Sequence, residues 1–155
     1  MIKYVKNQTQ ELCELAIKLS PYTLEYIKNQ TPELCELAIG LSPGTLKYVK
    51  NQTPELCELA VRLSPDALNY VKNQTPEICN LSIRLFPYSL RYVKNQTPEL
   101  CEIAVRLDPY TTFRYVKTQT TALCKLAIKL DPRTLHLVKK RTPEFDEMIK
   151  EIKIF

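Results

Sequence analysis

The fold of this chain is decided by residues 42–63, SPGTLKYVKNQTPELCELAVRL, a stretch of 22 residues that recurs along the sequence with little change. One tyrosine and one cysteine of each repeat mark its phase. The tyrosines are Tyr4, Tyr26, Tyr48, Tyr70, Tyr92 and Tyr115, and the cysteines are Cys13, Cys35, Cys57, Cys79, Cys101 and Cys124. A fixed period of this length is typical of a solenoid, in which each repeat is one supersecondary unit stacked on the next.

Each repeat contains two helix-start signals. A hydroxyl residue followed by proline occurs at 42–43 and again at 53–54. The hydroxyl can cap the helix, and the missing N–H of proline costs nothing at the first helical position. The spacing therefore predicts helix A over Pro54–Leu63 and helix B over residues 43–50, with Asn51 as the residue that ends helix B.

Helices this short do not persist alone in water, so stacking must hold them. Helix A is apolar around much of its circumference, which is typical of a helix covered on several sides. Its apolar residues are Leu56, Cys57, Leu59, Ala60, Val61 and Leu63. The sequence predicts an all-α fold, an α-solenoid of about seven 22-residue two-helix repeats, in one array over residues 1–155.

The two ends of the array differ. Residues 1–6 correspond to an incomplete N-terminal helix. In the last repeat, Asp146 stands in place of the cysteine and Lys150 in place of the isoleucine or valine. Both positions would contact a following repeat, so polar residues there predict a C-terminal capping helix within residues 142–155.

A leucine-rich repeat is the alternative architecture, because the period fits and residues 34–39 match part of that motif. The motif expects asparagine where this chain has the serine–proline pair at 42–43. Two proline-started helical patterns per repeat also leave no room for a strand, so the α-solenoid is the preferred interpretation.

Composition and charge limit the kinds of partner and location that the chain can have. The 155 residues carry a formal net charge of +5, with 22 Lys and Arg against 17 Asp and Glu, so a polyanionic partner is permitted but not required. No apolar run approaches the roughly 20 residues that span a bilayer. The first residues are already in phase with the repeat and no signal peptide precedes them, so we expect a cytoplasmic protein that does not bind membranes.

The six cysteines are predicted to be free and buried. Equivalent residues in stacked helices lie roughly 8–10 Å apart, whereas a disulfide requires Cα atoms within about 7 Å. The chain has no C-x-x-C pair and its one histidine is His136, so no metal site is expected. Small buried thiols indicate a reducing compartment and no disulfides.

Residues 67–79, ALNYVKNQTPEIC, resemble a family of repeat proteins of unknown function from giant, mimivirus-like viruses of amoebae. The resemblance covers nearly the whole chain. It implies helical repeats and a viral protein that works in the host cytoplasm, and it implies no catalytic residues or cofactors. Units of that family are slightly longer and have a glycine-containing turn where this chain has Ser-Pro or Asp-Pro.

Nothing in the sequence points to an enzyme. The chain has two glycines, and it contains neither a glycine-rich phosphate loop nor a nucleophile elbow. The repeated Asn-Gln pair is interpreted as structural, bonding the turn of the next repeat.

The repeated lysines have two interpretations. They either favour the C-terminal ends of the B helices and pair with nearby glutamates, or they follow a phosphate backbone while the repeated tyrosines stack on bases. The candidate nucleic-acid-binding residues are Lys28, Lys50, Lys72, Lys94 and Lys117.

Two positions of helix B vary between repeats and form a stripe on one face. In the second half of the chain this stripe becomes aromatic and basic, the composition favoured at protein interfaces. The candidate protein-binding residues are Phe86, Tyr88, Arg91, Tyr110, Phe113 and Arg114. We expect a non-enzymatic scaffold that binds a host or viral protein, with single-stranded nucleic acid as the alternative partner; neutral drift of an unconstrained surface would also explain the stripe.

One repeat is irregular. Between Cys101 and Cys124 the spacing widens from 22 to 23 residues. An extra residue would rotate a continuing helix by about 100°, so a loop or bulge must absorb it. The sequence places the insertion at residues 110–112, as a π-like bulge or a lengthened turn.

Overall fold

The computed structural model describes residues 2–141 and 143–151, and within these ranges the chain forms helices and turns with no β-strand. Helix A of the seven repeats corresponds to α1 (Gln10–Leu19), α2 (Pro32–Leu41), α3 (Pro54–Leu63), α4 (Pro76–Leu85), α5 (Pro98–Leu107), α7 (Thr121–Leu130) and α8 (Pro143–Glu151). Helix B corresponds to η1 (Ile2–Tyr4), η2 (Pro21–Tyr26), η3 (Pro43–Tyr48), η4 (Pro65–Tyr70), η5 (Pro87–Tyr92), α6 (Pro109–Phe113) and η6 (Pro132–Leu137). The all-α repeat solenoid is confirmed.

Helix A begins and ends where the sequence predicts. In α3 the Thr53 hydroxyl accepts a hydrogen bond from the Leu56 N–H, and Pro54 occupies the first turn. The same cap recurs at Thr9, Thr31, Thr97 and Thr120. Glu55 accepts a backbone N–H and the Thr53 hydroxyl, which lowers the pKa of its carboxyl.

Helix B is a 3-10 helix in most repeats and is shorter than predicted. The Thr45 N–H donates to the carbonyl of Ser42, three residues back, and the segment ends at Tyr48 with Val49 in an extended conformation. Asn51 therefore does not end this helix. Nor does the Ser42 side chain cap it; instead, the buried Thr45 hydroxyl donates to the Ser42 carbonyl at 2.7 Å.

The extra residue lies at the predicted place and lengthens the turn, as one of the two predicted alternatives, without forming a π-like bulge. The Thr112 N–H donates to the carbonyl of Asp108, four residues back, so α6 makes an α-turn where the other repeats make a 3-10 turn. The Asp108 carboxylate caps this turn by accepting the Thr111 N–H at 3.0 Å. Because an α-turn contains one residue more than a 3-10 turn, the repeat pattern resumes at once with Phe113 in the place of the usual leucine.

Contacts divide the chain into two compact units, residues 1–78 and 79–155, with the boundary inside α4. In the first unit, helices η2, η3 and η4 bury one leucine each, and the residue after each helix is also buried. These side chains are 0–1% exposed: Leu24, Ile27, Leu46, Val49, Leu68 and Val71. The α-helices add buried cysteine, alanine and isoleucine or valine, so the core runs as a layer between α- and 3-10 helices.

The second unit repeats this layer. Its helices η5 and α6 bury Leu90 and Phe113, and α5 and α7 bury the alanine and β-branched residue of their repeats. Phe145 of α8 is 3% exposed and buried, whereas Asp146 and Lys150 are exposed.

Candidate interaction surface

The repeated glutamines hold successive repeats together. Gln52 Nε2 donates to the carbonyls of Leu46 (2.8 Å) and Tyr70 (2.9 Å), and its Oε1 accepts the Lys72 N–H at 2.9 Å. One side chain thus bonds its own repeat and the next. The same three bonds recur at Gln8, Gln30, Gln96 and Gln119. The prediction that the Asn-Gln pair is structural is confirmed for its glutamine.

The repeated lysines point backwards along the array. Lys50 Nζ donates to the carbonyls of Ile27 (3.0 Å) and Lys28 (2.8 Å) in the preceding repeat. Lys72 bonds Val49 and Lys50 in the same way, and Lys117 bonds Val93 and Lys94. These lysines lie beyond the end of helix B rather than in its last turn. Because each ammonium group donates charge-assisted hydrogen bonds to two backbone carbonyls, these lysines have a structural role.

Tyrosines and cations share one exposed column in the first unit. Lys47 Nζ lies 4.6 Å from the ring centroid of Tyr48, 5.7 Å from that of Tyr22 and 5.9 Å from that of Tyr70. The Tyr22 and Tyr48 rings meet edge to face at 6.2 Å. The variable position of one repeat therefore sits over the repeated tyrosines of two repeats, within cation–π range.

The second unit contains a similar arrangement in which the cation is arginine. The Arg91 guanidinium lies 4.8 Å from the Tyr92 ring centroid and 5.6 Å from that of Tyr115. Both tyrosines are half-buried, whereas Arg91 is exposed. Arg91 thus covers one tyrosine ring of its own repeat and one of the next repeat.

Tyr110 is the centre of a second group of cations. The guanidinium of Arg114 lies 5.5 Å from its ring centroid and that of Arg133 lies 4.8 Å from it, while the His136 ring is 5.8 Å away. Arg133 also bonds Asp131 at 2.8 Å, and these hydrogen bonds lower the pKa of the Asp131 carboxyl. In the second unit, Arg91, Arg114, Arg133 and His136 therefore lie against the rings of Tyr92, Tyr110 and Tyr115. We call these seven residues the Tyr–Arg column.

Of the six predicted protein-binding residues, three belong to the Tyr–Arg column, two lie outside it and are partly exposed, and one is buried. Arg91, Tyr110 and Arg114 belong to the column, and Tyr88 is 36% exposed. Phe86 is half-buried at the start of η5. Phe113 is a correction: its side chain is 0% exposed, because the α-turn of α6 brings it into the core position of leucine. Arg133 and Tyr115 were not among the predicted protein-binding residues, although Arg133 occupies the repeat position of Tyr110 and Tyr115 directly follows Arg114.

A second exposed stripe was not anticipated. The last residue of helix A is leucine in α1–α5 and α7, and the pattern placed Leu63 among covered residues. Instead, these leucines are 42–79% exposed: Leu19, Leu41, Leu63, Leu85, Leu107 and Leu130. Periodicity identifies the face of a helix but not how far the neighbouring repeat extends over its last turn.

A pocket of about 540 Å³ lies between α5 and α7 in the second unit. Cys101 and Leu123 form part of its wall, and the ion pair of Arg106 with Glu102 lies at its side. Ala122 lines it at the position where earlier repeats carry the first-turn glutamate. The volume is in the range of pockets that accept a small molecule or a partner's side chain.

The six cysteines are free and buried, as predicted. Burial raises the pKa of the Cys35, Cys57, Cys101 and Cys124 thiols. Among residues 2–141 and 143–151, no group of three or more His, Cys, Asp or Glu side chains is arranged to hold a metal ion. None of the helices described in these ranges has the length and hydropathy needed to cross a membrane.

Comparison with protein-family models, curated proteins and solved structures finds no match for this chain. The resemblance to the giant-virus repeat family stays a prediction from the sequence.

Proposed function

We propose that this protein is a non-enzymatic helical-repeat scaffold whose Tyr–Arg column binds an acidic segment of another protein. The observation that carries the proposal is the stacking of exposed arginines on tyrosine rings in the second unit. A guanidinium group that lies over a ring keeps its in-plane N–H groups for a carboxylate. Tyrosine and arginine are also the residues most often found as anchors of protein interfaces.

The charge of this surface supports an acidic partner. The helices η5, α6 and η6 contain no acidic residue, while Arg91 lies in η5, Arg133 lies in η6 and Arg114 directly follows α6. Within the part of the chain that the structure describes, neither Arg91 nor Arg114 forms an ion pair. By contrast, the helices η2 and η4 of the first unit carry Glu25 and Asp66. The second unit is therefore the better candidate for a carboxylate-rich segment.

Single-stranded nucleic acid is the alternative partner, and it was predicted to bind through the repeated lysines. The ammonium groups of Lys50, Lys72 and Lys117 donate to backbone carbonyls, an observation that favours a structural role for them. If the resemblance to the giant-virus family reflects common ancestry, the partner is a host or viral protein in the host cytoplasm.

The test compares the parent protein with two variants in capture experiments from an amoebal lysate. Arg91→Gln with Arg114→Gln removes both unpaired arginines of the column. Arg106→Gln is the matched control, because it removes an exposed arginine of α5 in the same unit. A captured protein that is lost with the double variant, is retained by the control and weakens with added salt supports the proposal. Equal capture by all three proteins contradicts it.

The nucleic-acid alternative needs its own measurement. Fluorescence anisotropy with a labelled single-stranded RNA is recorded at low and at moderate salt. Micromolar binding that falls steeply with salt supports the alternative, since phosphate contacts release counterions. An anisotropy that does not change at low salt removes it.

A further inference from the structure

The first α-helix leaves exposed an apolar face that the later repeats cover more fully. In α1, Leu12 is 44% exposed, Leu15 55% and Leu19 79%. In α2, which packs against α1, the residue equivalent to Leu12 is Leu34, and it is 1% exposed. Leu12, Leu15, Ala16 and Leu19 have the i, i+3, i+4, i+7 spacing of one apolar helix face. We call these four residues the α1 face.

We infer that the α1 face is a self-association surface that binds the α1 face of a second copy of this chain. The first step of the argument concerns the alternative, in which copies stack head to tail. Inside the array, the side of helix A opposite this face carries Cys13 and Ile17, which are buried. In α8 the equivalent positions are the exposed residues Asp146 and Lys150. Two charged residues are a poor cover for leucine, so head-to-tail stacking is disfavoured and like-with-like pairing remains.

The charges beside the α1 face select the orientation. Glu11 and Lys18 are exposed and lie seven residues apart, so they share one edge of the face, two turns from each other. When two such helices pair antiparallel, the same edge of each helix meets. Glu11 of one copy then lies near Lys18 of the other, and the pair forms twice. A parallel pair would bring this edge against the opposite one and would form neither contact.

The symmetry of this arrangement closes the assembly at two copies. An isologous contact uses the same residues on both partners, so no further copy can add to it. Four small and medium-sized apolar residues are fewer than the 20–30 residues a side of a standard protein interface. The dimer is therefore weak, with a dissociation constant between about 10 µM and about 1 mM. It uses residues outside the Tyr–Arg column and is independent of the proposed function.

The experiment is sedimentation velocity of the full chain from about 10 µM to about 1 mM. We expect a monomer–dimer equilibrium that contains no larger species. Leu15→Glu should raise the dissociation constant at least about tenfold, since it buries a charge in the contact. Leu63→Glu is the matched control: Leu63 is 50% exposed but lies on an inner repeat, so the equilibrium should not change. Circular dichroism checks that both variants are folded.

A charge exchange tests the orientation. Glu11→Lys or Lys18→Glu alone should weaken the dimer about two- to fivefold at low salt, because each leaves like charges facing. The two substitutions together should restore the parent's dissociation constant. The inference is overturned if the parent stays monomeric at the highest concentration, if it forms polymers, or if Leu63→Glu weakens the dimer as much as Leu15→Glu. Failure of the charge exchange to rescue the dimer overturns the antiparallel pairing.

Discussion

Replacing Gln52 by glutamate tests whether the glutamines hold the repeats together. The substitution keeps the shape of the side chain and exchanges the NH2 group for an oxygen. Gln52 donates to the carbonyls of Leu46 and Tyr70 and accepts the Lys72 N–H. Glutamate keeps only the accepted bond, and its second oxygen faces two carbonyl oxygens at about the distance of the lost bonds.

The magnitude follows from the number of bonds. A hydrogen bond contributes about 0.5–1.5 kcal/mol net, so loss of two costs about 1–3 kcal/mol. Because Gln52 is half-buried, water can form hydrogen bonds to the Leu46 and Tyr70 carbonyls and so reduce the loss of stability. Repulsion between these carbonyl oxygens and the new carboxylate oxygen increases the loss. We expect Gln52→Glu to lower the free energy of unfolding by about 2–3 kcal/mol at neutral pH.

The pH dependence distinguishes this mechanism from loss of packing. Facing carbonyl oxygens raise the pKa of the introduced carboxyl in the folded state above its unfolded value of about 4.3. The folded state then binds more protons between the two pKa values, so stability falls as pH rises through that window. Relative to the parent, Gln52→Glu should recover about 1 kcal/mol below pH about 4, when the protonated carboxyl can donate one bond.

The assay is urea unfolding followed by circular dichroism, with Asn51→Asp as the matched control. Asn51 is the exposed neighbouring amide, so this control adds the same charge without touching the three bonds. The reasoning is refuted if both variants unfold at the same urea midpoint, or if the difference between them does not shrink in acid.

Three further predictions concern other parts of the fold. Within residues 2–141 and 143–151, the Ser82 and Ser89 hydroxyls are buried without a hydrogen-bond partner. Other repeats have alanine at the position of Ser82, for example Ala60. Ser82→Ala should therefore raise the free energy of unfolding by about 1 kcal/mol, measured by urea unfolding, and Ala60→Ser should lower it. Deleting Thr111 leaves DPYTFRY, a regular repeat like SPYTLEY at residues 20–26. This variant should keep stability within about 1 kcal/mol of the parent; a loss above about 3 kcal/mol would show that α6 needs its α-turn. The melting temperature should fall as pH drops below about 4.5, because the pKa values of the first-turn glutamates are lowered in the folded state and their contribution to stability is lost as they protonate. A melting temperature constant down to pH 3 would contradict this. These glutamates are Glu11, Glu33, Glu55, Glu77 and Glu99.

The sequence by itself determined the features that depend on neighbouring residues. The 22-residue period, the bounds of α3 and its threonine cap follow from signals within a few positions of each other. The site of the inserted residue follows from spacing alone. Burial of the cysteines was also predictable, since one small apolar residue at a fixed place in six successive repeats has to lie where the repeats stack.

Only the tertiary structure decided the features that depend on residues one repeat away. The local signals of a six-residue segment such as η3 allow either a 3-10 turn or an α-turn, and the structure shows the 3-10 turn. Lys50 bonds carbonyls 22 and 23 residues back, a partner that no local pattern specifies. Phe113 was assigned to the surface because it lies beside the inserted residue and the aromatic part of the stripe, but the α-turn of α6 places it in the core. Local sequence selects helical turns and their ends, whereas stacking decides which side of each turn meets the neighbouring repeat and which side meets water.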